Sequence, residues 1–330
     1  MAKRLVKTMN IQYKNFTIAS GDTPSYIGGF HIPQALYEAL CKTCGTLRKN
    51  VYIAFDADNP SSVAMLLGYH RPHTAQQKLA IIAGDEYLKP SLLNFAERSA
   101  LHAGAAIIKY EADVKTCQTI KNRSLNVYSH YRQSTDFTCG PVAVLNAMHR
   151  RGLVPSPTRE EELAVWREST LAVACDPYGL ALAAMRRGAK PTIRVSSEGP
   201  VLNPESGMGI LDPALASDTQ IRFAYDAKHA GIGITVSAFD AAQVGELIDN
   251  GAIVVLLIDQ LLMHGVSCPH WVTVTGHDRA SETLIIDDPW TDINSGETSV
   301  DAYQMPITLD ALNLMIHYDA PRSAQALIIF

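Results

Sequence analysis

The 330-residue chain has no long hydrophobic run. Its longest uninterrupted apolar stretch, Ala252 to Ile258, is seven residues, against the ~20 that a membrane-spanning helix needs, and it is predicted to be a buried strand. Positive charge is also short: 28 Lys and Arg against 33 Asp and Glu leave a net charge of -5, so no basic field exists to hold nucleic acid or a membrane surface, and neither is expected as a partner. The first ten residues carry charge but no apolar core and no small-residue cleavage site, so no signal peptide is read and cytoplasmic residence is expected. Six scattered cysteines are too few for a disulfide scaffold in a chain of this length, and reduced thiols are expected. Cys41 and Cys44 form a lone C-x-x-C without the second pair that a zinc site requires. No glycine-rich phosphate loop is found, because Gly21 to Gly29 has the wrong spacing; no cofactor or metal is expected, and internal repeats and low-complexity tracts are absent. What remains is ordinary: 47% apolar and 18% charged residues, the balance of a globular chain long enough for two domains.

One stretch concentrates chemistry. In the run from Tyr131 to Met148, a polar turn ends at Cys139, Gly140 and Pro141 supply a tight start, and Val142, Leu145 and Met148 are spaced for one helical face. A thiol at a helix N-terminus meets unpaired backbone N–H groups and the positive end of the macrodipole, both of which favour the thiolate. Gln133, six residues upstream, can turn its amide toward the same spot and make, with a backbone N–H, a two-donor oxyanion hole.

A nucleophilic cysteine needs a base, and His270 stands at the mouth of a predicted strand in which Val272 and Val274 alternate with Thr273 and Thr275. A second strand, Thr283 to Ile286, ends in Asp287 and Asp288. Joined by a short turn the two strands are antiparallel, which returns the end of the second beside the start of the first and brings an Asp to His270. Such a carboxylate fixes the imidazole tautomer and orientation. Adjacent strand residues face opposite ways, so only one of the pair can serve. His264 and His277 are the competing bases; the first lies in a loop, and the second is seven positions along the strand, at its far end and on the opposite face by the period of two. A metal site from His264, His270 and the Asp pair would take His270 away from base duty.

Gln133, Cys139-Gly140-Pro141, His270 opening a strand and Asp288-Pro289 closing the next together resemble the peptidase C39 family, in particular its soluble relatives. The stretches 159–168, 177–184 and 269–276 resemble that branch as well, and the similarity covers roughly residues 128–295. The resemblance implies an α+β, papain-like cysteine peptidase fold with Cys139 as nucleophile, His270 as base, Asp288 as orienting carboxylate and Gln133 as oxyanion donor. It favours Asp288 over Asp287 because Asp288 directly precedes Pro289. No transporter segments follow the peptidase-like part, so an export role is not carried over. The implied chemistry is an acyl-Cys139 thioester that ends in hydrolysis of a peptide or amide bond. Acyl transfer, ligation or cyclisation by the same triad is an alternative, and a non-catalytic binding or adaptor module is another. A peptide or small amide or acyl compound is the expected substrate class.

Residues 1–125 match no motif, and alternating signals predict a small α/β domain there. It has a strand at Asn10 to Ser20, a helix from Pro33, a strand at Val51 to Phe55, a helix at Pro60 to Gly68, then strand, helix and strand through Lys109, with a polar boundary near Lys121 to Ser124. The catalytic-type domain takes 126–330. In it Thr158 and Glu161 form a capping box, Asp176 and Pro177 start a helix closed by Gly188, and Ser237 to Asp240 start one that stops at Gly251. Thr308 caps a last helix, and Ala326 to Phe330 reads as a closing strand. Residues 195–236 read as an irregular excursion with one helix near Ser217 to His229, a candidate lid or substrate wall.

Overall fold

The computed structural model describes residues 10–18, 25–42, 45–111, 131–203 and 212–330. Cys44, Cys117, the polar boundary at 121–124, part of the Gly21 to Gly29 loop and part of the 195–236 excursion lie outside the described residues. The chain divides into two compact units, one of residues 1–126 with 292–300 and the other of residues 127–291 with 301–330. The segment 292–300, which the sequence reading kept with the C-terminal part, therefore groups with the first unit.

The first unit holds β1 (Ile11–Ile18), the short β2 (Tyr26–Ile27) and β3 (Phe30–His31), α1 (Gln34–Cys41), β4 (Arg48–Asp56), β5 (Asn59–His70), β6 (Gln76–Gly84), α2 (Lys89–His102) and β7 (Ile107–Tyr110). Its main sheet runs β1-β4-β5-β6-β7. The first four strands are antiparallel, and only β7, reached through α2, lies parallel to its neighbour. Leu36 and Leu40 of α1 pack with Val51, Ile53, Met65 and Leu67 on one face, while Leu92, Ala96 and Ala100 of α2 pack with Tyr52, Ala54, Leu66 and Ile108 on the other. The expected alternation of strand and helix holds from β1 through α1 to β4 and from β6 through α2 to β7, but fails between β4 and β6. The predicted helix at Pro60 to Gly68 is instead part of β5, the central strand.

Two buried polar devices complete this unit. Lys49 donates to the carbonyls of Ala39, Leu40 and Lys42 at 3.1, 2.8 and 2.6 Å, satisfying the open C-terminal end of α1. Arg71 makes a two-pronged pair with Glu297, its Nε 2.9 Å from Oε1 and a terminal nitrogen 2.5 Å from Oε2, fixing the segment 292–300.

The second unit contains α3 (Cys139–Arg150), α4 (Arg159–Ser169), α5 (Pro177–Arg186), β8 (Thr192–Val195), α6 (Pro213–His229), β9 (Gly233–Val236), α7 (Ala241–Asp249), β10 (Val254–Asp259), α8 (Leu261–His264), β11 (Pro269–Asp278), β12 (Thr283–Asp287), the second half of the one-turn α9 (Ser299–Ala302), β13 (Met305–Thr308), α10 (Leu309–Met315) and β14 (Ala326–Ile329). One seven-stranded sheet, ordered β13-β12-β11-β10-β14-β8-β9, runs through it. The closing strand β14 is inserted between β10 and β8, pairing antiparallel with both. Strand alternation divides the core. Val255, Leu257 and Trp271 face α3 and α5, whereas Val254, Leu256, Val272 and Val274 face α7 and α10. Each fully buried Leu or Val contributes roughly 1.5–3 kcal/mol by transfer from water, and the two layers fix β11 from both sides.

The caps read from sequence set the helix starts. Asp176 accepts from the N–H groups of Tyr178 and Gly179, Asp240 forms a reciprocal box with Gln243, and Thr308 accepts from Ala311. Thr158 accepts from the Glu161 N–H, but the Glu161 side chain goes to Arg187 Nε at 3.0 Å rather than back to its cap. The 195–236 stretch carries more order than the irregular reading gave it. Its ends lie in β8 and β9, which pair in parallel, and α6 begins at Pro213, behind the Asp212 cap. Among the described residues no helix is long and apolar enough to cross a membrane.

Candidate active site

Cys139 opens α3 and is only 9% exposed. The helix comes close to β11 because residue 140 has no side chain. A Cβ there would stand 2.9 Å from Leu180 Cδ1 and 3.0 Å from Trp271 Cδ1. Trp271 is itself pinned, its Nε1 donating to the Cys175 carbonyl at 2.9 Å, and Thr273 Oγ1 donates to the Ala143 carbonyl at 3.0 Å. These contacts bring the first turn of α3 against the start of β11, where His270 precedes Trp271.

β11 and β12 pair antiparallel as the turn at Asp278 to Ser281 requires, with Thr273 opposite Asp287. The next residue, Asp288, therefore comes level with the start of β11. Its Oδ1 accepts from His270 Nε2 at 2.7 Å and from the Trp290 backbone N–H at 2.8 Å, and its own N–H donates to the Ala302 carbonyl. Asp287 turns the other way, to Arg150 on α3 at 2.5 Å and to the Gln304 N–H at 2.8 Å.

With Nε2 committed to Asp288, Nδ1 is the ring nitrogen left for the Cys139 sulfur, one of the groups that bear on the imidazole. Burial alone would hold His270 below the ordinary histidine value. The Asp288 charge, its hydrogen bond and the Cys139 sulfur outweigh that and push the imidazole up to about 10. His270 is thus an imidazolium at neutral pH, the partner that a thiolate requires. The neighbouring thiols do not compete: burial keeps Cys175 well above the usual thiol range and pushes Cys268 up to about 11, with the nearby Cys139 adding to both.

Gln133 lies in the loop that leads into α3. Its backbone N–H donates to the Pro289 carbonyl at 3.0 Å, tying that loop beside Asp288. Its amide nitrogen donates to the Thr135 carbonyl at 2.8 Å, and its Oε1 is buried with no hydrogen-bond partner among the described residues. One amide hydrogen is therefore spent inside the loop and the second remains.

The structure thus brings Cys139, His270 and Asp288 together, with Gln133 engaged partly in its own turn. His277 is at the far end of the strand, 3.0 Å from Asp249. A bulge between Val274 and Gly276 interrupts the alternation and turns it onto α7, where it packs against Gly245. His264 is closer than a loop residue would be. Gly265, in the left-handed region at φ 79°, ends the one-turn α8 there, and His264 Nε2 sits buried, with no hydrogen bond among the described residues, 3.8 Å from Asp288 Oδ2. Among the described residues, no group of three or more His, Cys, Asp or Glu is arranged to hold a metal ion. Glu162 also escaped the sequence reading. It is fully buried in α4, and its carboxylate accepts from the loop that carries Gln133. Only its helical phase hinted at burial.

A thiol at a helix start, a histidine beside it and a buried carboxylate bonded to that histidine make a candidate cysteine–histidine–aspartate site. Residues 128–330 match the Peptidase C39-like family, and the chain belongs to that family. No curated protein matches the chain significantly.

Proposed function

We propose that the second unit is a cysteine-dependent acyl enzyme with a papain-like arrangement, and that it hydrolyses a peptide or amide bond. The observation that carries this reading is the buried 2.7 Å bond from His270 Nε2 to Asp288 Oδ1, with the Cys139 thiol on the same imidazole. In the first half-reaction the Cys139 thiolate adds to the carbonyl carbon. The Cys139 backbone N–H and the free Gln133 amide hydrogen receive the oxyanion. His270 gives its Nδ1 proton to the leaving nitrogen, the C–N bond breaks, and the acyl group stays on sulfur as a thioester. In the second half His270 takes a proton from water, the hydroxide adds to the thioester, and the thiolate departs.

An amine in place of water gives acyl transfer, ligation or cyclisation with the same first half. Incubation with acyl esters and peptide libraries, followed by intact-mass and peptide mass spectrometry, tests the shared step: an acyl adduct is expected on Cys139 and on no other cysteine. Cys139→Ala abolishes the adduct and turnover, and His270→Ala nearly does. Turnover retained in Cys139→Ala sinks the mechanism, and a wild type with neither adduct nor turnover leaves the binding module.

A further inference from the structure

The loop entering α3 is organised by one acidic side chain that belongs to neither strand nor nucleophile. Glu162 of α4 is 0% exposed. Its Oε1 accepts the Ser134 N–H at 2.8 Å and the Thr138 hydroxyl, and its Oε2 accepts the Tyr131 hydroxyl at 2.7 Å. All three donors come from residues 131–138, so they bracket Gln133 and end at Thr138, the residue that caps α3 and precedes Cys139. Thr138 is drawn to Glu162 and makes no side-chain cap of its own to α3. The loop is closed further by the Thr135 and Thr138 hydroxyls at 2.8 Å and by Asn146 Nδ2 on the Tyr131 carbonyl at 3.1 Å.

We propose that Glu162 is a positioning residue for the acyl chemistry: it fixes the 131–138 loop so that the Cys139 sulfur meets His270 and the Gln133 amide stays at the same point. This rests on the reading above. None of the three donors carries charge, and among the described residues no cation pairs with Glu162. A negative charge this close to a thiolate opposes its formation, so an electrostatic benefit to Cys139 does not account for the group. Geometry does. A carboxylate offers about four acceptor positions at two fixed oxygens, enough to gather three donors of one loop, and small displacements of a nucleophile cost large factors in rate.

The test reads the Cys139–His270 pair directly, with iodoacetamide and site-resolved mass spectrometry. The titratable groups bearing on the Cys139 thiol are His270 on β11, Cys175 ahead of α5, Cys268 ahead of β11, and Glu162 through Thr138. A thiolate held by an imidazolium alkylates at pH 5.5 nearly as fast as at pH 8.5, whereas an ordinary thiol does not. The ratio of the two rates cancels changes in simple access. Glu162→Ala is expected to lower that ratio at Cys139 by ~10-fold, while exposed Cys41 keeps its own; Glu162→Gln, which retains an acceptor oxygen and loses the charge, is expected within ~2-fold of wild type.

A ratio unchanged in Glu162→Ala, or one lowered equally in Glu162→Gln, overturns the proposal. If Glu162→Ala does not fold, Thr138→Val and Tyr131→Phe each remove one donor and are expected to lower the ratio by ~3-fold; both unchanged overturns it as well. A wild-type protein with no acid-side reactivity at Cys139 removes the acyl-enzyme reading itself, and this inference with it.

Discussion

Asp287 and Asp288, consecutive at the end of β12, point in opposite directions: Asp287 pairs with Arg150 on α3 at 2.5 Å, and Asp288 accepts from His270 at 2.7 Å. Their substitutions should separate stability from chemistry. Asp287→Asn loses a largely buried ion pair and should lower stability by about 1–3 kcal/mol while acylation stays within a factor of about three. Asp288→Asn keeps an acceptor for His270 but not the charge, and should slow acylation by ~10-fold or more with residual turnover. Thermal melting alongside single-turnover acylation decides it. Loss of acylation in Asp287→Asn with Asp288→Asn unaffected would exchange the two assignments.

The choice of Asp288 rested on the resemblance of Asp288-Pro289 to the family pattern, whereas the requirement that only one of these carboxylates reach His270 could be read in advance from local rules: strand alternation, a short turn and antiparallel return. Helix starts were legible for the same reason, since Asp176, Asp240 and Thr308 act within three residues. What failed depended on distant partners. The run from Pro60 to Gly68 resembled a helix closed by glycine, yet Ala64 to Leu67 are buried on both faces of a central strand, so no alternation was visible. Gly68 is no helix terminator; it lies where β5 approaches β6, and a Cβ there would stand 2.6 Å from Gln77 Nε2 and 3.0 Å from the Lys78 carbonyl. Glu162 and His264 reach the site only through tertiary packing, and nothing in their neighbours names their partners.

The raised value of His270 fixes the sign of a pH effect. Its pKa in the fold is about 10 against an ordinary 6.5, so between those values the folded protein binds a proton that the unfolded chain has lost. The stability it contributes is complete below pH ~6.5 and is lost as pH rises through ~10. Melting temperature should fall across this window more steeply in wild type than in His270→Asn. Acylation should show an alkaline limb near pH 10, where His270 loses the proton that the leaving group needs. Equal slopes in the two proteins would show that His270 is not held charged.

Gln133 is expected to affect stability and chemistry together. Gln133→Ala removes the bond to the Thr135 carbonyl, worth about 1 kcal/mol, and the oxyanion donor, worth ~10²-fold in acylation or about 2.7 kcal/mol. Gln133→Glu cannot donate to Thr135 and repels the oxyanion, so it should be as slow or slower. Substrate affinity should hardly change, because the oxyanion exists only past the ground state. A lower melting temperature with an unchanged acylation rate would leave Gln133 as a loop staple alone.

The approach of α3 to β11 rests on Gly140. In Gly140→Ala the new methyl meets Leu180 Cδ1 at 2.9 Å and Trp271 Cδ1 at 3.0 Å. Trp271 cannot swing away without losing its bond to the Cys175 carbonyl, so either Leu180 yields or the first turn of α3 lifts from the strand. Overpacking of this kind costs about 1–3 kcal/mol. Because Cys139 rides on that turn, acylation should fall by ~10-fold beyond what lost stability explains. Gly179→Ala is the control. Its methyl would collide with the Ser169 backbone carbonyl, which has no rotamer to change, so stability should fall further than in Gly140→Ala. Leu180→Val frees space beside residue 140, and combined with Gly140→Ala it should restore acylation to within a few-fold of Leu180→Val alone. If the double variant is as slow as Gly140→Ala, steric contact with Leu180 is not what displaces Cys139, and Trp271 is left as the contact that Gly140 exists to permit.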